Sequence, residues 1–429
     1  MPKLRLKAIS ARLATWMPAG SFLRNVSILT GGTAFAQGLL ILALPVLTRL
    51  YTPMDFSLLA VYVAILGIVT VVSCLRYNIA IPIPEEDADG MALLFVSIGA
   101  AFIVSLLCAL IVTVAPEAIA ALIGQPDFQP YLWMVPVGVF IASVYNALQY
   151  WASRKKRFGL VTRTRVTRAV GGVGTQLGVG AAAPSPFGLV FGHMIYGGLG
   201  IFGLTRSLLK EDRQFLGKAT LGRLAGQVKE QRRFPIYSVP EALFNTAGIQ
   251  LPVIFIAAIA AGPEAGFLML AMRVMGLPMG LVGASVAQVF LAEAPSRLRD
   301  GTIGTFTRTT MYALFKAGAP PLIAVGVLSP LAFPLLFGPE WERAGWLVAW
   351  MTPWFVLQFV SSPVSMILHV TGRQNLAMML QGAGLVLRLS MVLLAAKLVE
   401  DNISEIYAIS GAIFYMAYIA VVLFVSREK

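Results

Sequence analysis

Three cationic side chains lie in segments of the 429-residue chain that are otherwise apolar enough to cross a membrane: Arg273, Lys316 and Arg388. A charge at the middle of a span costs about 2.5–3.5 kcal/mol on insertion scales, so such residues usually serve a function. Few carboxylates occur at the same depth to neutralise them. Because an arginine guanidinium can hold two phosphate oxygens at once, these residues predict a hydrated, electropositive cavity that attracts a diphosphate or an acidic sugar.

Six further residues complete the candidate site. Arg49 and Arg76 lie at the ends of apolar segments, where snorkelling of the side chain to the lipid headgroups is the alternative role. The others are uncharged and lie on polar stripes at helical spacing, where hydrogen bonding between helices, worth about 0.6 kcal/mol per pair, is the alternative. These uncharged candidates are Gln37, Asn245, Gln288 and Gln381.

The composition places the chain among membrane proteins. It is 58% hydrophobic and 12% charged, whereas soluble proteins average about 25% charged residues. Cys74 and Cys108 fall in apolar segments and predict neither a disulfide nor a metal site. A phosphate-cradling Gly-x-x-x-x-Gly-Lys motif is absent, and no catalytic set emerges. We therefore expect neither enzyme activity nor a cofactor.

Apolar windows of about 20 residues predict an all-α membrane protein with about twelve spans. The first six are expected near residues 26–50, 56–80, 91–114, 131–153, 160–183 and 187–209. The second six are expected near residues 239–261, 266–291, 304–328, 344–368, 375–398 and 403–425.

The distribution of Lys and Arg predicts the orientation of the spans. The net charge of +13 comes mostly from one alternating set of loops, such as residues 154–157 and 206–233, which the positive-inside rule assigns to the cytoplasm. We therefore expect a multi-pass protein of the bacterial inner membrane with both termini in the cytoplasm. Residues 1–25 are basic and amphipathic and are expected to contact membrane lipids. This pattern favours a membrane partner over nucleic acid.

An internal repeat predicts two lobes. The segment Tyr51–Ala60 joins the first two spans, and the similar segment Ala261–Leu270 joins the seventh and eighth. This spacing of half the chain favours two parallel six-helix lobes related by an axis along the membrane normal. We expect the N-lobe at residues 26–209, a cytoplasmic linker at 210–238 and the C-lobe at 239–429.

Several motifs, in this order along the chain, resemble those of the polysaccharide (O-antigen-type) flippases of the multidrug/oligosaccharidyl-lipid/polysaccharide exporter superfamily. The motifs are residues 31–37, residues 44–56, Leu75-Arg76-Tyr77-Asn78-Ile79-Ala80-Ile81-Pro82, residues 150–158, residues 234–240, Arg273-Val274-Met275-Gly276-Leu277-Pro278 and Phe337-Gly338-Pro339-Glu340-Trp341. Together they span nearly the whole chain.

This resemblance implies a V-shaped pair of lobes around a cavity that opens alternately to each side. The implied substrate is an oligosaccharide linked to undecaprenyl diphosphate, whose lipid tail stays in the bilayer. The resemblance also implies that Arg273 faces the substrate, and a polysaccharide polymerase and a chain-length regulator are candidate partners.

Two other functions remain open from the sequence. The first is cation-coupled export of drugs or other small molecules, although the membrane-embedded acids usual in the first lobe of that branch are missing here. The second is a membrane enzyme that polymerises glycans, which the absence of a large outer loop disfavours.

Overall fold

The computed structural model describes residues 21–260 and 262–427, and these residues form helices joined by turns. The predicted amphipathic segment lies outside them, apart from the start of the first helix. The N-lobe contains α1 (Ser21–Leu42, continued by Leu44–Leu50), α2 (Pro53–Ser73), α3 (Asp87–Val114), α4 (Met134–Arg154), α5 (Phe158–Ala182) and α6 (Pro186–Gly198, continued by Ile201–Glu211).

The C-lobe repeats this order of six long helices. It contains α7 (Val239–Ile259), α8 (Glu264–Met275, continued by Ala284–Arg299), α9 (Ile303–Phe337), α10 (Glu342–Ser361), α11 (Gln374–Leu398) and α12 (Ile403–Arg427). Ten of the twelve are long and apolar enough to cross a membrane if the bent α8 counts as one span. The other two, α4 and α5, have 21 and 25 residues, enough to cross, but are more polar. The prediction of an all-α, two-lobed membrane protein is confirmed.

The two segments of the sequence repeat begin equivalent helices, α2 and α8. At the start of α2, the Thr52 hydroxyl accepts a hydrogen bond from the Asp55 backbone N–H, and the Asp55 carboxylate accepts one from Thr52 N–H. Such a cap stabilises a helix by about 1 kcal/mol. Gly266 of α8 lies directly against this start, since a Cβ there would lie 2.1 Å from the carbonyl oxygen of Pro53.

The two lobes are joined at the end of the molecule where α1 ends and α2 begins, which we call the acidic end. Gln125 of the N-lobe donates a hydrogen bond of 2.8 Å to the Ala257 carbonyl of the C-lobe. From the C-lobe, the Trp341 indole donates to the Thr48 carbonyl at 3.2 Å and packs edge-on against Phe56. These contacts close the space between the lobes at this end.

The opposite end, which we call the basic end, is held together by ion pairs. Arg154 contacts Asp87 at 3.0 Å, and Arg223 of the linker helix (Leu221–Glu230) contacts Glu86 and Asp89, both at 2.8 Å. The acidic residues 86–89 and the basic cluster at residues 154–157 therefore fasten α3, α4 and the linker helix to one another.

Two helices differ from their predicted spans. The helix α9 runs to Phe337, nine residues beyond the expected end, because Pro330 and Pro334 are tolerated in its interior. The helix α8 is interrupted by a π-helical turn at Met279–Gly283. This break separates Arg273 in the first half of α8 from Gln288 in the second half, so the two candidates do not share one continuous helical face.

Candidate functional site

The candidate site centres on Arg273, which projects from the first half of α8 toward the N-lobe. Its side chain is half-buried and lies within electrostatic range of Tyr196 and His193 on α6. Among the described residues no carboxylate lies within ion-pair distance of it. The structure thus brings the first of the predicted cations to the space between the lobes.

A second cation, Arg168 of α5, meets this site from the N-lobe. Its charge also reaches His193, and its guanidinium carbon lies 3.7 Å from the ring centre of Tyr145 and 4.6 Å from that of Tyr196. One turn away, Arg165 donates a hydrogen bond of 2.7 Å to Thr33 of α1. Two aromatic faces and a backbone carbonyl hold the arginine in place without neutralising its charge.

Sequence reasoning missed these N-lobe cations and placed all interior charges in the second half of the chain. The predicted span at residues 160–183 and the helix α5 both contain Arg165 and Arg168, yet neither residue was among the predicted interior charges. Their spacing of three residues, which places them on one helical face with Gly172, was the available signal.

Close packing of glycines positions Arg168 and its aromatic partners. A Cβ at Gly172 would lie 2.6 Å from the Tyr196 side chain, and one at Gly200 would lie 2.5 Å from the Tyr145 ring. Gly171 and Gly172 therefore allow α5 and α6 to approach closely.

Arg76 lies on the same side of the N-lobe as the cleft, in a break after α2. Both Leu75 and Arg76 have positive φ angles, of 49° and 62°, which non-glycine residues adopt only at a cost of about 1–3 kcal/mol. Burial lowers the pKa of Arg76, and the nearby Tyr150 and Glu241 partly offset this effect. Its Nε atom has no hydrogen-bond partner among the described residues. This strained turn places the cationic side chain of Arg76 near Glu241 of the opposite lobe.

Glu241 also pairs with His369 within the C-lobe. The carboxylate oxygen lies 3.3 Å from the imidazole Nε2, and both side chains line a space of about 560 Å³ at the basic end, together with Arg233 and Gln374. The sequence gives no sign of this pair, because it forms only when α7 and the end of the tenth span fold together.

Arg388 occupies a different environment from the one predicted. Its side chain is 1% exposed, lies 4.4 Å from the ring centre of Phe414 and 5.3 Å from that of Trp354, and donates to the Gly248 carbonyl. Its Nε and Nη2 atoms have no hydrogen-bond partner among the described residues. The placement of Arg388 on an open cavity was wrong: the aromatic residues of α10 and α12 enclose it inside the C-lobe.

Lys316 is exposed on the face of α9 opposite its packed residues, next to the exposed Tyr312 and Phe315. The 35-residue helix is about 50 Å long, whereas the hydrocarbon core is about 30 Å thick. Lys316 lies about 20 Å from the basic end of α9. Its charge is not among those that act on His193.

The remaining predicted residues lie on several helices. Arg49 is exposed in the last turn of α1 at the acidic end. Gln37 and Gln381 are half-buried, and Asn245 is exposed on α7. Gln288 lies in the second half of α8, and its side chain is outside the part that the structure describes. The serines of the tenth span act in helix packing, since Ser362 and Ser365 hydrogen-bond to Tyr415 and Tyr418 of α12.

Comparison with protein families decides the membership of the chain. Residues 46–345 match the model of a family described as "Polysaccharide biosynthesis protein". The chain belongs to the polysaccharide biosynthesis protein family. The matched region includes Arg76, Arg168 and Arg273, whereas Arg388 lies beyond it. No curated protein matches the chain.

Solved structures show that this family member has the fold of the MOP superfamily transporters. Its fold is similar to that of the lipid II flippase MurJ in an inward closed conformation, with a TM-score of 0.70, 13% identity and coverage of 92% of this chain and 87% of that one. A MOP superfamily transporter from Pyrococcus furiosus gives a TM-score of 0.64, 13% identity and 94% coverage of both chains. An inward-facing multidrug resistance MATE transporter gives 0.58, 13% identity and coverage of 98% and 97%.

Proposed function

We propose that the chain is a flippase that moves an undecaprenyl-diphosphate-linked oligosaccharide, such as an O-antigen or exopolysaccharide repeat unit, from the cytoplasmic to the outer leaflet. One observation carries the proposal. Arg273 of the C-lobe and Arg168 of the N-lobe both lie within electrostatic range of His193, and Arg168 is held there by the rings of Tyr145 and Tyr196. No ion pair to either arginine is found among the described residues.

A diphosphate is the substrate group that best matches this arrangement. It carries several oxygens that can each accept charge-assisted hydrogen bonds from arginine, and it can contact both lobes at once. An anion that contacts both lobes would draw them together. Its binding would therefore favour the conformation in which it makes more contacts with the protein. The glycan would follow through the cleft while the polyprenyl chain stays in the lipid.

The orientation of the molecule follows from its charges. The basic end carries the clusters around residues 154–157 and 206–233, so we assign it to the cytoplasm and the acidic end to the opposite face. The contacts between Gln125, Ala257, Thr48 and Trp341 close the acidic end. With this assignment, we propose that the closed acidic end faces the outside and that this state receives substrate from the cytoplasm. A polymerase and a chain-length regulator at the outer face remain proposed partners.

The test uses purified protein in lipid vesicles containing a fluorescent undecaprenyl-diphosphate oligosaccharide. Arg273→Ala and Arg168→Ala should each lower the flipping rate by about tenfold to a hundredfold, since a hydrogen bond to a charged group is worth about 1.5–3 kcal/mol. Arg308→Ala, an exposed cation on α9, is the matched control and should flip at the wild-type rate.

Three results would reject the proposal. An unchanged flipping rate in both arginine variants would show that the arginines of the cleft take no part in transport. Transport of a cationic drug but not of the lipid-linked glycan would favour the exporter function. New glycosidic bonds in the vesicles would show a polymerase.

A further inference from the structure

A second group of cations surrounds a groove on the outer flank of the N-lobe, which we call the flank groove. It lies at the basic end between α5 and the second half of α6 and has a volume of about 720 Å³. Its cationic walls are formed by Arg163 of α5 and by Arg206 and Lys210, which are one turn apart on α6. Three positive charges around one concave surface indicate an anionic ligand.

The three cations of the groove are not neutralised by the protein. Arg157, at the edge of the groove, is bound to Asp212 at 2.6 Å and to Glu211 at 3.2 Å, which engages both nearby acids. Within the described part of the chain, Arg163, Arg206 and Lys210 have no carboxylate within ion-pair distance, and all three are exposed. Their charges are therefore available to a ligand.

The flank groove is separate from the cleft between the lobes. The helix α5 uses its other faces to pack against α1, α4 and α6, and the second half of α6 packs on α4 and α5 of the same lobe. Gly200 and Gly203 let α6 lie close to Thr164. Arg163 and Thr167 thus point away from the side of α5 that carries Arg165.

Below the cations the surface becomes apolar. Phe202 is 77% exposed and Leu209 is 52% exposed. They line a neighbouring space of about 620 Å³ that shares Arg206 and Lys210 with the flank groove. A cationic rim above an apolar wall matches the headgroup and acyl chain of one lipid.

We propose that the flank groove binds an anionic phospholipid, with its phosphate held by Arg163, Arg206 and Lys210 and an acyl chain against Phe202 and Leu209. The lipid is a stable neighbour rather than the transported substrate, because all residues that line the groove belong to the N-lobe and neither Arg168 nor Arg273 is among them. The site is independent of the proposed transport, and its test needs no flipping assay.

The experiment measures lipid binding to the purified full-length protein by native mass spectrometry and by the shift of its thermal unfolding midpoint. Phosphatidylglycerol and cardiolipin should bind and stabilise the wild type, whereas phosphatidylcholine and inorganic phosphate should not. The triple variant Arg163→Gln, Arg206→Gln, Lys210→Gln should bind the anionic lipids about tenfold more weakly or worse. Added salt should weaken binding to the wild type.

Two further variants control for charge and folding. The triple variant Arg213→Gln, Lys229→Gln, Arg232→Gln removes three exposed cations from the same end outside the groove and should bind like the wild type. Arg163→Lys with Arg206→Lys keeps the charge and should retain binding. Equal losses of lipid binding in the two triple glutamine variants would show that the lipids respond only to the overall positive charge of this end. That result would overturn the proposal. Inorganic phosphate or free polyprenyl diphosphate binding as well as phospholipid would also overturn it.

Discussion

At the scale of single residues, a substitution of Arg168 can separate the effect of its charge on transport from the effect of its planar shape. Its guanidinium stacks between Tyr145 and Tyr196, an arrangement a lysine ammonium cannot reproduce with the same planar fork. We predict that Arg168→Lys flips substrate about threefold to thirtyfold more slowly than the wild type, the range expected from a cation–π contact of about 0.5–2 kcal/mol. The initial rate in vesicles measures this, with Arg163→Lys on the exposed face of α5 as the control. A wild-type rate for Arg168→Lys would show that charge alone suffices.

The Glu241–His369 pair permits a second test on residues. The two side chains are 28% and 31% exposed, so solvent screens their attraction and a coupling energy of about 0.2–1 kcal/mol is expected. A double-mutant cycle of Glu241→Gln and His369→Gln, followed by unfolding of the purified protein, measures this coupling. The ion pair requires a protonated imidazole, so the coupling should be present in acid and disappear as the pH rises and the imidazole loses its proton. Equal coupling at pH 5 and pH 9 would contradict an ion pair.

At the scale of helices, the closure of the acidic end depends on the absence of a side chain at Gly266. A Cβ there would lie 2.1 Å from the Pro53 carbonyl and 2.8 Å from the Ser57 amide, so α2 and α8 would have to separate. We predict that Gly266→Ala lowers the free energy of unfolding by about 1–3 kcal/mol, the usual cost of overpacking. Gly280→Ala in the same helix has open space around its new methyl and should change stability little. Thermal unfolding in detergent compares the two, and equal midpoints would refute the close contact.

Helices were also where sequence reasoning both succeeded and failed. Long apolar segments bounded by turn residues predict most spans, because a chain that crosses the hydrocarbon core must do so as an apolar helix of sufficient length. The same reasoning could not show which face of a helix is enclosed. Arg388 follows Gln374 and Gln381 on one stripe, but exposure falls along it from the basic end to the aromatic interior. Periodicity shows which residues share a face of a helix, but it does not show which neighbouring helices cover that face.

At the scale of the whole molecule, the repeat predicted the two lobes, whereas the site depends on contacts between them. The proximity of Arg273 to His193, and of Arg76 to Glu241, joins residues that are distant in the sequence and lie in opposite lobes. A local pattern carries no information about such pairs. The candidate cluster was therefore predicted only in its C-lobe half.

The alternating access proposed for this chain requires the acidic end to open during each cycle. Gln125 and Ala258 lie on opposite sides of this closed end, since Gln125 binds the Ala257 carbonyl and Gly124 packs on Ala258. In a chain with Cys74 and Cys108 replaced by Ser, a cleavable thiol cross-linker of about 10 Å between Gln125→Cys and Ala258→Cys should stop flipping, and cleavage should restore it.

The matched control joins Leu122→Cys to Gln129→Cys, two exposed positions within the N-lobe, and should leave flipping unchanged because both move as part of one lobe. A linker between the lobes holds the closed end shut without touching Arg168 or Arg273, so binding of the diphosphate lipid should persist while its release to the outer leaflet fails. Full flipping by the fully cross-linked protein would mean that the lobes need not separate here, and the substrate would have to leave by a path that keeps the acidic end closed.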